Sequence, residues 1–207
     1  MTIRAVVFDF GGVLFDWSPQ HLYRKLIAND VERQWFLDTI CTQDWNTEQD
    51  AGRSLAEATR TLVAQYPEHT TLIQAYYERW PEMLRAELPE GVAILEALHQ
   101  VEMPLFGLTN WSSETFPYAR ANYPFLTRFR DILVSGEVKL IKPDPAIYHA
   151  SLTQVRAHLP DVQASEVVFI DDVAGNIEAA IALGWQGIHH VSAERTAARL
   201  RELGVAF

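Results

Sequence analysis

Five short apolar runs, separated by stretches of helical spacing, constrain this chain more than any other feature. They are Ile3–Phe8, Pro104–Leu108, Ile132–Ser135, Val167–Ile170 and Gln186–His190. Strands that alternate with helices build a parallel sheet with crossover connections. Continuous apolar runs suit strands covered on both faces. The expected fold class is therefore α/β. Asp144 followed by Pro145 reads as the N-cap and first position of a helix through His158. Gly184, just after Ala179–Leu183, reads as a helix stop.

The interval from Phe15 to Leu88 breaks this alternation. Ser18 and Pro19 begin a helix in which Leu22 and Leu26 share a face. Val31, Trp35 and Ile40 mark a second helix, and Ser54-Leu-Ala-Glu57 has capping-box spacing ahead of a third. A fourth spans His69–Arg79, and no strand is expected in the interval. Trp17, Trp35, Trp45 and Trp80 all fall here, with core packing the expected role of most of them. Residues 15–88 thus read as a helical insert between the first and second strands of a core made from residues 1–14 and 89–207.

Charge narrows the partners. With 27 acidic residues against 17 Lys and Arg, the formal charge is −10. Such a surface repels nucleic acid phosphates and anionic membranes, so neither is expected as a partner. The single cysteine, Cys41, excludes an internal disulfide and a thiolate metal cluster, and reads as an inert thiol. No run approaches the roughly 18 to 20 apolar residues that span a bilayer. The first apolar stretch has no basic leader and is interrupted by Asp9 and two glycines, which reads as a strand and not a signal peptide. A cytoplasmic location is expected.

Ligands of a parallel sheet sit beyond the carboxyl ends of its strands, and four polar clusters fall there. The first strand runs into Asp9-Phe-Gly11-Gly12, where glycines let the backbone turn sharply and approach a ligand. The second ends in Thr109-Asn110-Trp111-Ser112, a hydroxyl followed by a helix start that suits phosphate oxygens; Ser112 alternatively caps a helix over Glu114–Tyr123. Lys142 precedes the rigid turn Pro143-Asp144-Pro145, where an ammonium can offset phosphoryl or carboxylate charge. The fourth strand ends in Asp171-Asp172, with Asn176 one helical turn beyond Asp172. Adjacent carboxylates call for a neutralising cation, and a small set of oxygen ligands suits Mg²⁺.

In this order the four clusters resemble the motifs of the haloacid dehalogenase superfamily, along the whole chain. The resemblance implies a Rossmann-like core with an α-helical cap and an aspartyl-enzyme intermediate. It also implies Asp9 as nucleophile and Mg²⁺ ligand, with the Gly11 carbonyl and Asp172 as direct ligands and Asp171 acting through water. Thr109 and Asn110 would hold phosphoryl oxygens, with Gly12 lining the same turn. Lys142 would stabilise charge, and Asn176 would orient Asp172 or the substrate.

One position departs from the family's phosphatases, which carry a second Asp two residues after the nucleophile as general acid and base. Here that position is Gly11. The sequence is similar to a bacterial branch with Gly there, which includes sugar-phosphate phosphatases. The expected activity is hydrolysis of a small phosphorylated metabolite, such as an aldose 1-phosphate. The family's dehalogenases also lack the second Asp and need no metal, but they lack the paired acids and hold their substrate with a basic residue, for which Arg53 is the candidate. A non-catalytic binding protein on the same fold is the remaining alternative. Trp45-Asn46 and Asp50-Ala-Gly52-Arg53 are the candidates for substrate contact from the insert, and Asp16 or a residue of the insert is an alternative proton donor. Neither the substrate's identity nor the oligomeric state is legible.

Overall fold

The computed structural model describes residues 2–207. In chain order, β1 (Ala5–Phe8) and β2 (Phe15–Trp17) precede α1 (Pro19–Leu26), α2 (Asp30–Thr39), α3 (Gln43–Asp50), α4 (Leu55–Gln65) and α5 (Thr70–Glu78). Next come β3 (Leu84–Glu87), α6 (Pro89–Gln100), β4 (Leu105–Thr109), α7 (Phe116–Asn122) and β5 (Asp131–Val134). The chain closes with α8 (Ser135–Val138), α9 (Pro145–His158), β6 (Val167–Asp171), α10 (Ala174–Ala182), β7 (Gln186–His189) and α11 (Ala193–Glu202).

All five expected strands form, and they make one parallel sheet in the order β5-β4-β1-β6-β7. Side chains alternate across it. Ala5 and Val7 pack with Ile147, Tyr148, Leu152 and Val155 of α9 and Ile177 and Ala180 of α10. Val6 and Phe8 face the other way, into the cluster that holds Ile94, Leu95 and Leu98 of α6, Phe116 of α7 and Leu200 of α11. Helices on both faces of a parallel sheet give the Rossmann-like layering, and they explain why the strands read as continuous apolar runs.

The interval 15–88 differs from expectation at its edges and in its second helix. β2 and β3 pair antiparallel as a two-stranded ribbon, where no strand was expected. At three and four residues, with Asp16, Arg85 and Glu87 among them, they are too short and too polar to show periodicity. α1 starts as expected, with the Ser18 hydroxyl accepting from the Gln20 N–H. Ser54 caps α4 by accepting from the Glu57 N–H. In α2 the expected apolar face is only partly buried: Ile40 packs in the core, but Val31 and Trp35 are 79% and 47% exposed, whereas Phe36 and Arg33 are buried. The Arg33 guanidinium is satisfied by Gln20, the Ile27 carbonyl and Asp30, so its burial leaves no donor stranded. Helix α3 matches none of the four helices expected in the interval; the Thr42 hydroxyl caps it by accepting from the Trp45 N–H.

An aromatic seam joins the insert to the sheet. Trp80 packs at a tilt 5.5 Å from Trp111, which meets Phe15 edge-on at 5.6 Å. On the other side the Ser135 hydroxyl donates to the Asp50 carbonyl at 2.6 Å, and Glu114 accepts from the Leu55 N–H.

Candidate active site

Strand register gathers the site. Phe8 lies opposite Gly107 on one side and Ile170 on the other, so Asp9, Thr109 and Asp171 emerge together at the carboxyl edge. A cavity of about 360 Å³ opens there, between the sheet and the insert. Asp9, Gly11, Gly12, Thr109, Asn110, Lys142, Asp172 and Asn176 all line it, drawn from all four sequence clusters.

Lys142 is the electrostatic hub. Its ammonium is 4% exposed as a residue, 2.8 Å from Asp9 Oδ1 and 2.6 Å from Asp171 Oδ2. Burial opposes its charge, but the two carboxylates outweigh that and raise its pKa. Asp171 is fully buried and its oxygens are occupied: Oδ2 by Lys142, Oδ1 by the Val173 N–H at 2.7 Å, and both by the Asn176 amide at 3.0–3.1 Å. The Asn176 amide therefore orients Asp171, where Asp172 or the substrate was expected, and the residue also lines the cavity. Asp9 is nearly buried, and burial pushes its carboxyl up to about 7, against the pull of Lys142. Its Oδ1 is buried against the ammonium and meets no other donor.

Asp172 is the exposed member of the pair, its pKa raised by burial of its carboxyl and by Asp171. It packs directly over Gly12. A Cβ there would lie 2.1 Å from Asp172 Oδ2, and Gly12 has φ +67°, so only glycine fits on both counts. Gly12 thus serves to seat Asp172. Oxygens of Asp9, Asp171 and Asp172 lie within 4.8 Å of one another. Three carboxylates against one ammonium leave an excess of negative charge, and Asp9 Oδ1 is buried with that shared ammonium as its one neighbouring donor. Both features fit a hard divalent cation.

The second cluster divides. Thr109 is buried at the end of β4 and faces the cavity. The Asn110 amide instead clamps the Lys142 backbone, accepting from its N–H at 2.9 Å and donating to its carbonyl at 3.1 Å. Asn110 positions Lys142, where sequence reasoning had it on phosphoryl oxygens. Ser112 accepts from the Glu114 N–H, but the helix beyond it begins only at Phe116, later than expected.

Two expected contacts from the insert do not reach the cavity. Trp45 packs on Tyr76 and Tyr77 at 5.1 and 5.3 Å. Arg53 spends its guanidinium on Glu48, Gln49 and the Trp45 carbonyl. The cavity is instead faced by Gln43, Asn46, Thr47 and Asp50 of α3. Their spacing of three, four and seven residues is one helical face. Asn46 and Asp50 were anticipated as contacts. Gln43, Thr47 and the aromatic wall of Trp17, Tyr77, Trp80 and Trp111 were not. A polar stripe at helical spacing beside Trp45 was the signal for them.

A family model described as haloacid dehalogenase-like hydrolase matches residues 3–184. The sesquiterpene phosphatase AstK of Aspergillus oryzae is 26% identical over 202 residues, spanning 98% of this chain and 97% of that protein. Among solved structures, a haloacid dehalogenase family enzyme of Bacteroides thetaiotaomicron, in complex with magnesium and inorganic phosphate, superposes with a TM-score of 0.63. It is 21% identical and covers 90% of this chain and 93% of its own. The L-2-haloacid dehalogenase of Xanthobacter autotrophicus, with chloropropionic acid covalently bound, gives a TM-score of 0.59. It is 18% identical and covers 100% of this chain and 85% of its own. At these identities the two structures speak for the fold alone.

Proposed function

The chain belongs to the haloacid dehalogenase-like hydrolases, and we propose that within them it is a magnesium-dependent phosphatase of a small phosphorylated metabolite. The observation that carries this reading is the carboxylate cluster, in which oxygens of Asp9, Asp171 and Asp172 converge and the Lys142 ammonium pairs with the first two. Asp9, Asp172 and the Gly11 carbonyl would hold Mg²⁺, with Asp171 supporting from behind. Bound there, the cation supplies the screening that lets an anionic nucleophile meet an anionic phosphoryl group.

The remaining roles belong to the chain itself. Asp9 is the nucleophile, its carboxylate forming an acyl-phosphate with the substrate phosphorus. Lys142, fixed by Asn110 and Asp171, balances charge on Asp9 and the transferred group. Thr109 contacts the phosphoryl oxygens. Residues 15–88 act as the cap, whose α3 face encloses the leaving group together with the aromatic wall of Trp17, Tyr77 and Trp80 from the cap and Trp111 from the core. That wall suits a leaving group with apolar faces: the ring of an aldose 1-phosphate, or an isoprenoid monophosphate of the kind implied by the likeness to a sesquiterpene phosphatase. Against a dehalogenase, Arg53, the candidate for the substrate carboxylate, is engaged outside the cavity.

A magnesium-dependent screen across phosphorylated sugars and isoprenoid monophosphates, with 2-chloropropionate alongside, tests this. Phosphate release that requires Mg²⁺, with an acid-stable label trapped on Asp9, is expected. Halide release without Mg²⁺, and no phosphate release, would overturn the reading.

A further inference from the structure

Gly11 leaves a gap where the phosphatases resembled here carry their acid. A Cβ at that position meets nothing within 4 Å, and the residue lines the cavity. Asp16, its nearest downstream carboxylate, is 2.8 Å from His21 Nε2 and 3.9 Å from Arg85, and is not part of the cavity wall. Besides Asp9 and Asp172, the carboxylate in that wall is Asp50.

Asp50 ends α3, and its backbone is pinned to the carboxyl edge of the sheet. The Ser135 hydroxyl donates to its carbonyl at 2.6 Å and itself accepts from the Trp111 N–H at 2.8 Å. The Ser112 N–H faces its carboxylate and favours the charged form. Ser112 is three residues beyond Thr109, so the Asp50 carboxyl stands against the loop that leaves the proposed phosphoryl contact. From the insert, Gln49 Nε2 meets the Tyr77 hydroxyl at 2.6 Å, that hydroxyl meets Asn46 Oδ1 at 3.1 Å, and Asn46 Nδ2 meets Asp50 Oδ2 at 3.2 Å. A chain of neutral groups thus aims a carboxyl into the cavity without an ion pair to fix its charge.

We propose that Asp50 is the general acid and base of phosphoryl transfer, delivered from the helical insert in place of the residue absent at Gly11. The proposal rests on the phosphatase reading. Burial pushes the Asp50 carboxyl up to about 7, with the Ser112 N–H pulling the other way, so both protonation states are populated near neutrality. The other titratable groups facing it are the Tyr76 and Tyr77 phenols, both held neutral by burial. Arg53 is turned to Glu48.

The steps balance. An Asp9 oxygen bonds to phosphorus as the ester P–O bond breaks, and the Asp50 proton passes to the leaving oxygen, releasing the alcohol. Asp50, now a carboxylate, takes a proton from water as that water's oxygen bonds to phosphorus. The aspartyl P–O bond then breaks, returning Asp9 as carboxylate, inorganic phosphate and a protonated Asp50.

The test compares kcat/KM for 4-nitrophenyl phosphate and phenyl phosphate in the wild type, Asp50→Asn and Asp50→Glu. Only the poorer leaving group, phenolate, needs the proton. Asp50→Asn should lose about 10²-fold on phenyl phosphate and under about tenfold on 4-nitrophenyl phosphate, while accumulating aspartyl-phosphate. Asp50→Glu should recover part of the phenyl phosphate rate. Equal losses on both esters in a variant that melts like the wild type would overturn the assignment, as would an unchanged leaving-group dependence. A wild type that releases phosphate from neither ester with Mg²⁺ present fails the phosphatase reading itself.

Discussion

Asp171 and Asp172 are neighbours in sequence with opposite environments, and the difference decides what each substitution does. Asp171 is fully buried and holds Lys142, Asn176 and the Val173 N–H. Asp171→Ala leaves the ammonium buried with half its compensation, a change that typically costs about 3–5 kcal/mol. A drop in melting temperature together with lost activity is expected; an unchanged melting curve would mean that Lys142 does not depend on it. Asp172 is exposed, so Asp172→Ala should melt like the wild type and lose its response to Mg²⁺. Asp9→Asn keeps the fold and removes the nucleophile. Turnover should fall below about one per cent of wild type, and residual activity above that, with deamidation excluded, would contradict Asp9 as nucleophile. These residues were legible in the sequence because each ends an apolar strand, where a carboxylate has no structural excuse. Their division of labour was not, because it depends on which oxygen meets Lys142, Asn176 or the Val173 N–H. Sequence spacing put Asn176 near Asp172; the strand's side-chain direction put it on Asp171.

At the scale of elements, the sheet was readable and the insert only partly so. Strands covered on both faces are apolar throughout, which leaves an unambiguous signal at Val167–Ile170 and Ile3–Phe8. α3 carries one strong apolar residue, Trp45, and turns its other faces to the cavity and to neighbouring polar groups, so hydrophobic periodicity passes over it. α2 misled in the opposite sense: Val31 and Trp35 have the spacing of a buried face but are exposed, and the cluster is entered through Phe36 and Ile40. The two faces of α3 make a contrast that can be measured. Arg53→Ala breaks partly exposed contacts to Glu48 and Gln49, worth about 1 kcal/mol or less, and should leave kcat/KM within about twofold. Asn46→Ala removes the link between Tyr77 and Asp50. It should lower kcat/KM for phenyl phosphate by about tenfold, less than the roughly 10²-fold or more that full loss of acid–base help costs, because Asp50 itself remains. If Arg53→Ala were the more damaging of the two, the orientation of α3 over the cavity would be wrong.

For the whole molecule, the carboxylate cluster ties stability to pH and to metal. Asp9 and Asp50 ordinarily ionise near 3.8, and both are pushed up to about 7 by burial, with Asp172 raised as well. Between about pH 4 and 7 the folded protein therefore holds protons that the unfolded chain has released. Stability of the metal-free protein must fall as pH rises through that window and level off above it. Mg²⁺ acts in the opposite sense, because it binds the ionised carboxylates of the fold. At 100 times its Kd a ligand that binds only the folded state adds about 2.7 kcal/mol. For a chain of this size that amounts to roughly 5–11 °C in Tm. The gain should be largest near pH 8, where the cluster is ionised, and smaller near pH 5.5, where Mg²⁺ must displace protons. Asp172→Ala should abolish the gain at both. Asp50→Asn should flatten the fall of the metal-free protein with pH and leave the gain from Mg²⁺ intact, since Asp50 stands apart from the cluster. Scanning calorimetry with and without EDTA measures all four quantities. A wild-type Tm indifferent to millimolar Mg²⁺ at pH 8 would remove the metal from the site, and an Asp50→Asn variant that loses the gain would place Asp50 among the ligands.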